Sequence, residues 1–303
     1  MQILYSYYKS EGGSLESAQK ELQHSIQKSY EQYLLFLQLP SEITDYARSI
    51  VEKKRQKRLP SQEDLNPNTR FIDNQFVAQL NTSSMYIKLL KDTSVSWAQH
   101  EDIIPKLYKK IVDNEIYQEY MEAEENTYEA DKQIWARIFK LIIYRSEELG
   151  DLLEDMSIYW NDDADLVLGM VQKTIKLFEQ SKGENQGIMV LFKDAEDQEF
   201  ASKLLNRALR EEKEYRERID KKTEHWEAER IAFIDRLLMQ LALAEVVNFT
   251  SIPIKVTINE YLDIAKNYST VKSAIFINGV LDSIIKDLKN EDVFKKSGRG
   301  LME

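Results

Sequence analysis

IPIKVTINEYLDIAKNYSTVKSAIFINGVLDSIIKDL, residues Ile252 to Leu288, reads as two helices joined by a tight Asn267-Tyr268-Ser269-Thr270 turn. Pro253 suits a first helical turn, where its missing N–H has no partner to lose, and Ser251 is placed to cap it. Ile254, Ile258, Tyr261, Leu262 and Ala265 recur at three- and four-residue intervals. That spacing lines one face of a helix, and the face must be buried. Ile277, Val280, Leu281, Ile284 and Leu288 repeat the logic in the second helix, with Gly279 beside the stripe. Glycine costs a helix interior about 1 kcal/mol relative to alanine, so the sequence predicts a close helix–helix approach at Gly279. Phe276 stands off the main stripe, near the helix start.

Upstream, HWEAERIAFIDRLLMQLALAE (His225 to Glu245) adds the order W-x-x-x-R and D-x-x-L-x-x-x-A-x-x-E to the I-P-x-x-V-x-I-N-E, A-K and F-I-N-G-V-L-D of the opening stretch. The combined pattern resembles the NusB family of bacterial transcription antitermination factors. The continuous resemblance covers roughly Phe200 to Leu288, and QILYSYY (Gln2 to Tyr8) is similar to the end of the family's first helix. Between Tyr8 and about residue 195 the resemblance is weak. The chain is about twice as long as ordinary members and resembles the long form of Bacteroidetes-type bacteria, with an expanded middle.

With 43% hydrophobic and 31% charged residues over 303 positions, and only 9 Gly and 5 Pro, the composition is that of a mostly helical protein with one or two substantial cores. No run approaches the roughly 18 apolar residues of a membrane span, and no leader pattern opens the chain, so a cytoplasmic protein without membrane contact is expected. The absence of cysteine excludes disulfides and thiolate metal sites. A net charge of -11 argues against nucleic acid as a partner of the whole surface. The charge is uneven, however: residues 195–290 carry 15 Lys or Arg against 17 Asp or Glu, a balance of -2. The global charge therefore leaves room for a local RNA site.

Met1 leads straight into the amphipathic set Ile3, Leu4, Tyr7, Tyr8 with no capping residue before it, which predicts natural sequence upstream. NusB relatives carry an arginine-rich run at that place, part of their RNA-binding element. Beyond Gly12-Gly13 the pattern predicts a helix from Ser14 to about Gln38, and a new one starting at Pro40. KKRQKRLP (Lys53 to Pro60) reads either as a cation-rich helix end, favourable to the macrodipole, or as a phosphate-contacting patch. Helices are expected over Thr69–Leu90, His100–Val112 and Glu115–Glu122, and another, with Asn161-Asp162-Asp163 as its N-terminus, to about Glu179. The acidic cluster between Glu119 and Asp131 reads as a solvated helix start, and Ser181 to Gly187 as a linker. Asp194 is expected to cap the helix that opens the family-like part.

Catalytic signals are thin. His24, His100 and His225 lie far apart, and Glu21 with His24 makes only half of a helical di-iron pattern. No phosphate loop, nucleophile elbow or H-E-x-x-H occurs, so neither enzyme activity nor a metal or cofactor is expected. Phe276 reads either as core or as a ring for stacking on a base. Asn259, Glu260, Asn278 and Asp282 read as caps or cross-links. Glu245 shares a face with Leu238, Leu241 and Ala242 and needs a partner, which predicts that it holds a neighbouring helix.

The fold class expected is all-α: a NusB-like helical bundle with a large helical insertion. Its divisions are residues 1–10, an N-terminal helix packing with the C-terminal bundle; 11–187, an expanded helical region; 188–290, the NusB-like part; and 291–303, a flexible tail. The resemblance implies binding of single-stranded boxA RNA of ribosomal RNA operons together with NusE, the ribosomal protein that doubles as an antitermination factor, in the RNA polymerase antitermination complex. By resemblance Tyr5 and Phe276 fall at RNA-contacting positions, Lys272 is a further RNA candidate, and Asp235 falls at a partner-contacting one. The alternative is a helical protein-interaction scaffold that has lost RNA binding.

Overall fold

The computed structural model describes residues 1–10, 13–161, 163–223 and 231–301. Gly12, Asp162, His225, Trp226 and Arg230, all used above, lie outside the described residues. Every regular element among the described residues is helical, as the apolar periodicity predicts. The chain divides into two compact units, Met1–His24 with Phe192–Glu303, and Ser25–Leu191. The sequence placed boundaries near residues 10 and 187; the contacts place them inside one helix, after His24, and after Leu191.

Helix α1 (Gln2–Lys9) starts at Met1 with no side-chain cap and buries Leu4. Helix α2 (Leu15–Arg55) corrects the expected break at Pro40, because it runs straight through that residue. A proline in a helix interior costs about 3 kcal/mol. Leu34, Leu35, Phe36, Leu37, Leu39 and Ile43, on either side of it, are all buried. At roughly 1.5–3 kcal/mol for each fully buried side chain, their packing outweighs the lost hydrogen bond. Lys53, Lys54 and Arg55 form the last turn, where cations favour the negative end of the helix.

The unit Ser25–Leu191 continues with α3 (Gln62–Leu65), α4 (Gln75–Thr82), α5 (Ser84–Lys91), α6 (Ile103–Val112) and α7 (Glu115–Glu122). It closes with α8 (Tyr128–Ile138), α9 (Glu147–Met156) and α10 (Ala164–Leu177). The single helix expected over Thr69–Leu90 is broken at Ser83, whose hydroxyl accepts from the Tyr86 N–H and donates to the Gln186 carbonyl at 2.7 Å. Trp97, Trp135 and Trp160 are buried, and the indole N–H groups of Trp97 and Trp160 donate to the α2 carbonyls of Leu35 and Lys28. Asp131, from the acidic cluster, is buried and accepts from the Tyr120 hydroxyl at 2.6 Å and the Gln75 N–H at 2.7 Å. The segment Ser181 to Gly187, read as a linker, is instead a short 3-10 stretch tied to the unit. The Gln79 amide donates to the carbonyls of Glu179 and Gly183, both at 3.0 Å, and Gln186 is buried.

The other unit is assembled around α13 (Phe233–Asn248), which contacts α1, α11 (Ala195–Arg210), α12 (Glu212–Thr223), α14 (Ile254–Tyr268) and α15 (Val271–Asn290). Residues Leu237 to Val246 of α13 are all buried, the mark of a helix enclosed on every side. The stripes read from the opening stretch face it: Tyr261, Ala265, Ile277, Val280, Leu281, Ile284 and Leu288 are buried. Asp194 caps α11 by accepting from the Asp197 N–H at 2.9 Å. Ser251 does not cap α14; Pro253 itself occupies the N-cap position, and the Ser251 hydroxyl reaches Glu196.

Gly279 corrects the expectation of a close helix–helix approach. It is exposed, and a Cβ there would meet no atom within 4 Å. The demanding glycine is Gly300, where a Cβ would stand 2.0 Å from the Thr250 carbonyl oxygen. The segment after α15 is held there by the Ser297 N–H, which donates to that carbonyl at 3.0 Å, and by the Lys296 ammonium, which donates to the Phe249 carbonyl at 2.9 Å.

Candidate functional site

Tyr5 projects from α1 with 41% of its surface exposed. Its ring meets Phe233, the first residue of α13, edge-on with centroids 5.5 Å apart, and Tyr8 meets the same ring at 6.1 Å. The Lys9 ammonium lies 4.8 Å from the Phe233 ring centroid and 5.8 Å from that of Tyr5. A cation above an aromatic face is attracted by the ring quadrupole, so the charge holds the two rings together at the surface. The sequence reading missed Phe233 and Lys9. Phe233 sits just before the buried run of α13, and no periodicity marks a residue at a helix start as exposed.

Asp235, two residues further on, is only 4% exposed, and its Oδ1 has no hydrogen-bond partner among the described residues. It stands in the first turn of α13, where the helix dipole favours a carboxylate. Beside the aromatic group opens a cavity of about 340 Å³ lined by Tyr8, Phe233, Arg216, Asp220 and Arg236 among others. Arg236 reaches Asp220 at 3.1 Å, and the Tyr8 hydroxyl accepts from the Gln240 amide at 2.9 Å. Burial pushes the Tyr8 phenol well above its ordinary range, so it stays a neutral hydroxyl.

Lys272 and Phe276 form a second group one turn apart on α15, whose start is fixed by the Thr270 hydroxyl accepting from the Ser273 N–H at 3.0 Å. Lys272 is exposed; Phe276 is half-buried against the core of its unit. Ile275 beside it is 72% exposed, an apolar side chain with no role in the core. Asn259 and Asn278, read as caps or cross-links, are exposed and their side chains make no hydrogen bond among the described residues, while Asp282 pairs with Lys286 at 2.7 Å. The four predicted positions thus fall into two groups: Tyr5 and Asp235 at the meeting of α1 and α13, and Lys272 with Phe276 at the start of α15.

The arrangement offers open aromatic rings, cations and a buried carboxylate at a helix start. It suits recognition by stacking and charge. No group of three or more metal-ligating side chains occurs among the described residues, and none of their helices is long and apolar enough to cross a membrane.

The family profile of NusB matches residues 172–286. The transcription antitermination protein NusB of Salinibacter ruber is 38% identical over 138 residues, which cover 44% of this chain and 86% of that protein. The protein of the same name from Chloroherpeton thalassium is 40% identical over 110 residues, 36% of this chain and 52% of that one. That from Koribacter versatilis is 42% identical over 101 residues, 33% of this chain and 69% of that one. No solved structure matches the chain. With a helical unit built on the stretch that carries the motif, and relatives matched over most of their length, the chain belongs to the NusB family.

Proposed function

We propose that this chain is a transcription antitermination factor that binds single-stranded boxA RNA of ribosomal RNA operons together with NusE, as part of the RNA polymerase antitermination complex. The observation that carries the reading is the surface aromatic group of Tyr5 and Phe233 under the Lys9 ammonium. Unstacked bases gain about 1–3 kcal/mol each from an aromatic platform, and an adjacent cation serves the phosphate. Lys272 and Phe276 repeat the pairing of charge and ring on α15. The role is recognition: bases stack, phosphates meet lysines, and the start of α13 around Asp235 faces the protein partner. The antitermination names of the relatives support the same role.

The test is binding of the full chain to a short boxA RNA and a scrambled control, with and without NusE, at two salt concentrations. Preference for boxA that weakens with salt is expected, because each neutralised phosphate releases counterions. Equal or absent binding of both RNAs, with NusE present, overturns the proposal and leaves the protein-scaffold alternative.

A further inference from the structure

A cavity of about 640 Å³ opens between α14, α15 and the segment that follows α15. Lys255 and Asn259 reach it from α14, Asn278 and Lys289 from α15, and Phe294 and Lys296 from the following segment. Among the described residues no carboxylate lines it, in a chain whose net charge is -11. Neighbouring lysines on the same elements are neutralised locally: Lys266 by Asp263 at 2.6 Å, Lys286 by Asp282 at 2.7 Å and Lys295 by Asp292 at 3.0 Å. Lys255, Lys289 and Lys296 have no ion pair among the described residues. The Lys296 ammonium is half-buried, held by the Phe249 carbonyl at 2.9 Å and placed 5.6 Å from the Phe294 ring centroid. The carboxylate whose field it feels, Glu245, is engaged by Thr257 and Tyr261.

We infer that this cavity binds a phosphorylated ligand of mononucleotide size, with the phosphate on the three lysines and the organic part between Phe294 and the Asn259 and Asn278 amides. Half-burying the Lys296 ammonium with no carboxylate in ion-pair contact is costly, and the exposed Lys255 and Lys289 at the same concavity add a repulsion that an anion relieves. The volume lies within the ordinary range of small-ligand sites, about 300–1,000 Å³. The two free amides can each donate and accept, which suits the polar edge of a base or a sugar. Burial lowers the Lys296 ammonium to about 8, the direction expected of a cation waiting for a counter-charge. The site is separate from the proposed RNA group: at about 100° per residue, Asn278 points about 160° round α15 from Phe276.

The experiment is calorimetric titration of the full chain with ADP, with adenosine as the control that lacks phosphate. ADP should bind and adenosine should not. Lys255→Ala and Lys289→Ala change exposed side chains and leave the fold intact; each should weaken ADP by about tenfold, the loss of one charge-assisted contact. Lys286→Ala, which removes a paired lysine outside the cavity, should leave it unchanged. Absence of ADP binding at millimolar concentration, adenosine binding as tightly as ADP, or a Lys255→Ala/Lys289→Ala double variant binding like the parent overturns the inference. Addition of hexauridylate to the ADP-loaded chain identifies the source. Displacement assigns the cavity to a nucleotide of an RNA strand, and persistence of ADP assigns it to a free nucleotide; the phosphate chemistry stands in both cases. Because ADP binding is read without boxA or NusE, failure here is distinguishable from failure of the antitermination role.

Discussion

The Glu245 carboxylate on α13 accepts a hydrogen bond from the Tyr261 hydroxyl of α14 at 3.0 Å, and its other oxygen accepts from Thr257 at 2.7 Å. A single buried acid thereby pins α14 to the central helix. Glu245→Ala strands two buried hydroxyls and should cost about 1–3 kcal/mol, whereas Tyr261→Phe removes one hydrogen bond and should cost about 1 kcal/mol. Urea unfolding midpoints at pH 7 check both. Equal losses for the two variants would contradict the bridging role.

The same carboxylate makes stability depend on pH. Burial raises the Glu245 pKa above its ordinary 4.5, against the opposing pull of the Thr257 and Tyr261 hydrogen bonds. The folded state therefore keeps a proton that the unfolded chain has already released. Between 4.5 and the raised folded value the unfolded state binds fewer protons, so stability falls as pH rises through that window. Below 4.5 the contribution is fully present. Glu245→Gln cannot titrate, and the difference in unfolding free energy between parent and variant should shrink in favour of the variant as pH climbs from 4 to 7. A difference independent of pH would contradict this.

At Gly300 the constraint is steric. A Cβ would sit 2.0 Å from the Thr250 carbonyl oxygen and 3.0 Å from its carbon, and backbone cannot yield as a flexible side chain does. Gly300→Ala should therefore lift the segment after α15 from its seat while the six helices α1 and α11–α15 stay folded. Hydrogen exchange is the suitable measurement: the Ser297 N–H, protected by the Thr250 carbonyl, should exchange faster by tenfold or more, with α13 amides unchanged. Uniform protection in the variant would mean that the segment accommodates the methyl group.

The parts of this fold that were legible are those governed by periodicity. Three- and four-residue spacing identified the buried faces of α14 and α15, and the isolated carboxylate on the apolar face of α13 correctly predicted the bridge from Glu245. Local punctuation misled where packing was stronger. Pro40 reads as a helix start, yet the apolar run on both sides continues the helix through it. SKGENQG reads as a linker because its residues are small and polar, but the partners that tie it down, Gln79 and Ser83, lie about a hundred residues away in sequence. Periodicity cannot see such contacts. The same limit applies to the candidate surface. Tyr5 and Phe276 were found by family resemblance, while Phe233 and Lys9 join Tyr5 only through the packing of α1 on α13. The three lysines of the cavity come from separate elements, and no local pattern relates them.

Recognition by the two aromatic groups makes separable predictions. Tyr5→Ala should lower boxA affinity by about 5- to 150-fold, the equivalent of about 1–3 kcal/mol of stacking, with little change in stability because the ring is exposed. Phe276→Ala should lower affinity by a similar factor and also cost stability, since part of its ring lies on the core. Lys272→Ala should weaken all RNA sequences alike and reduce the salt slope by about one unit. Fluorescence anisotropy at several salt concentrations, alongside thermal melting, tells the three apart; unchanged RNA affinity in both aromatic variants would place the interface elsewhere.

Gly279 gives the sharpest contrast between stability and function. It occupies an exposed position on α15 where a Cβ meets nothing within 4 Å, so the fold gains nothing from a glycine there. Replacement by alanine should stabilise the helix by about 0.5–1 kcal/mol, raising the thermal midpoint by a few degrees. If the open side is where RNA or the protein partner comes close to the helix backbone, the added methyl group interferes with that approach. Gly279→Ala should then be more stable and bind the boxA–NusE pair more weakly, by fivefold or more. A variant that gains stability and keeps full binding would show that no ligand approaches the helix at Gly279.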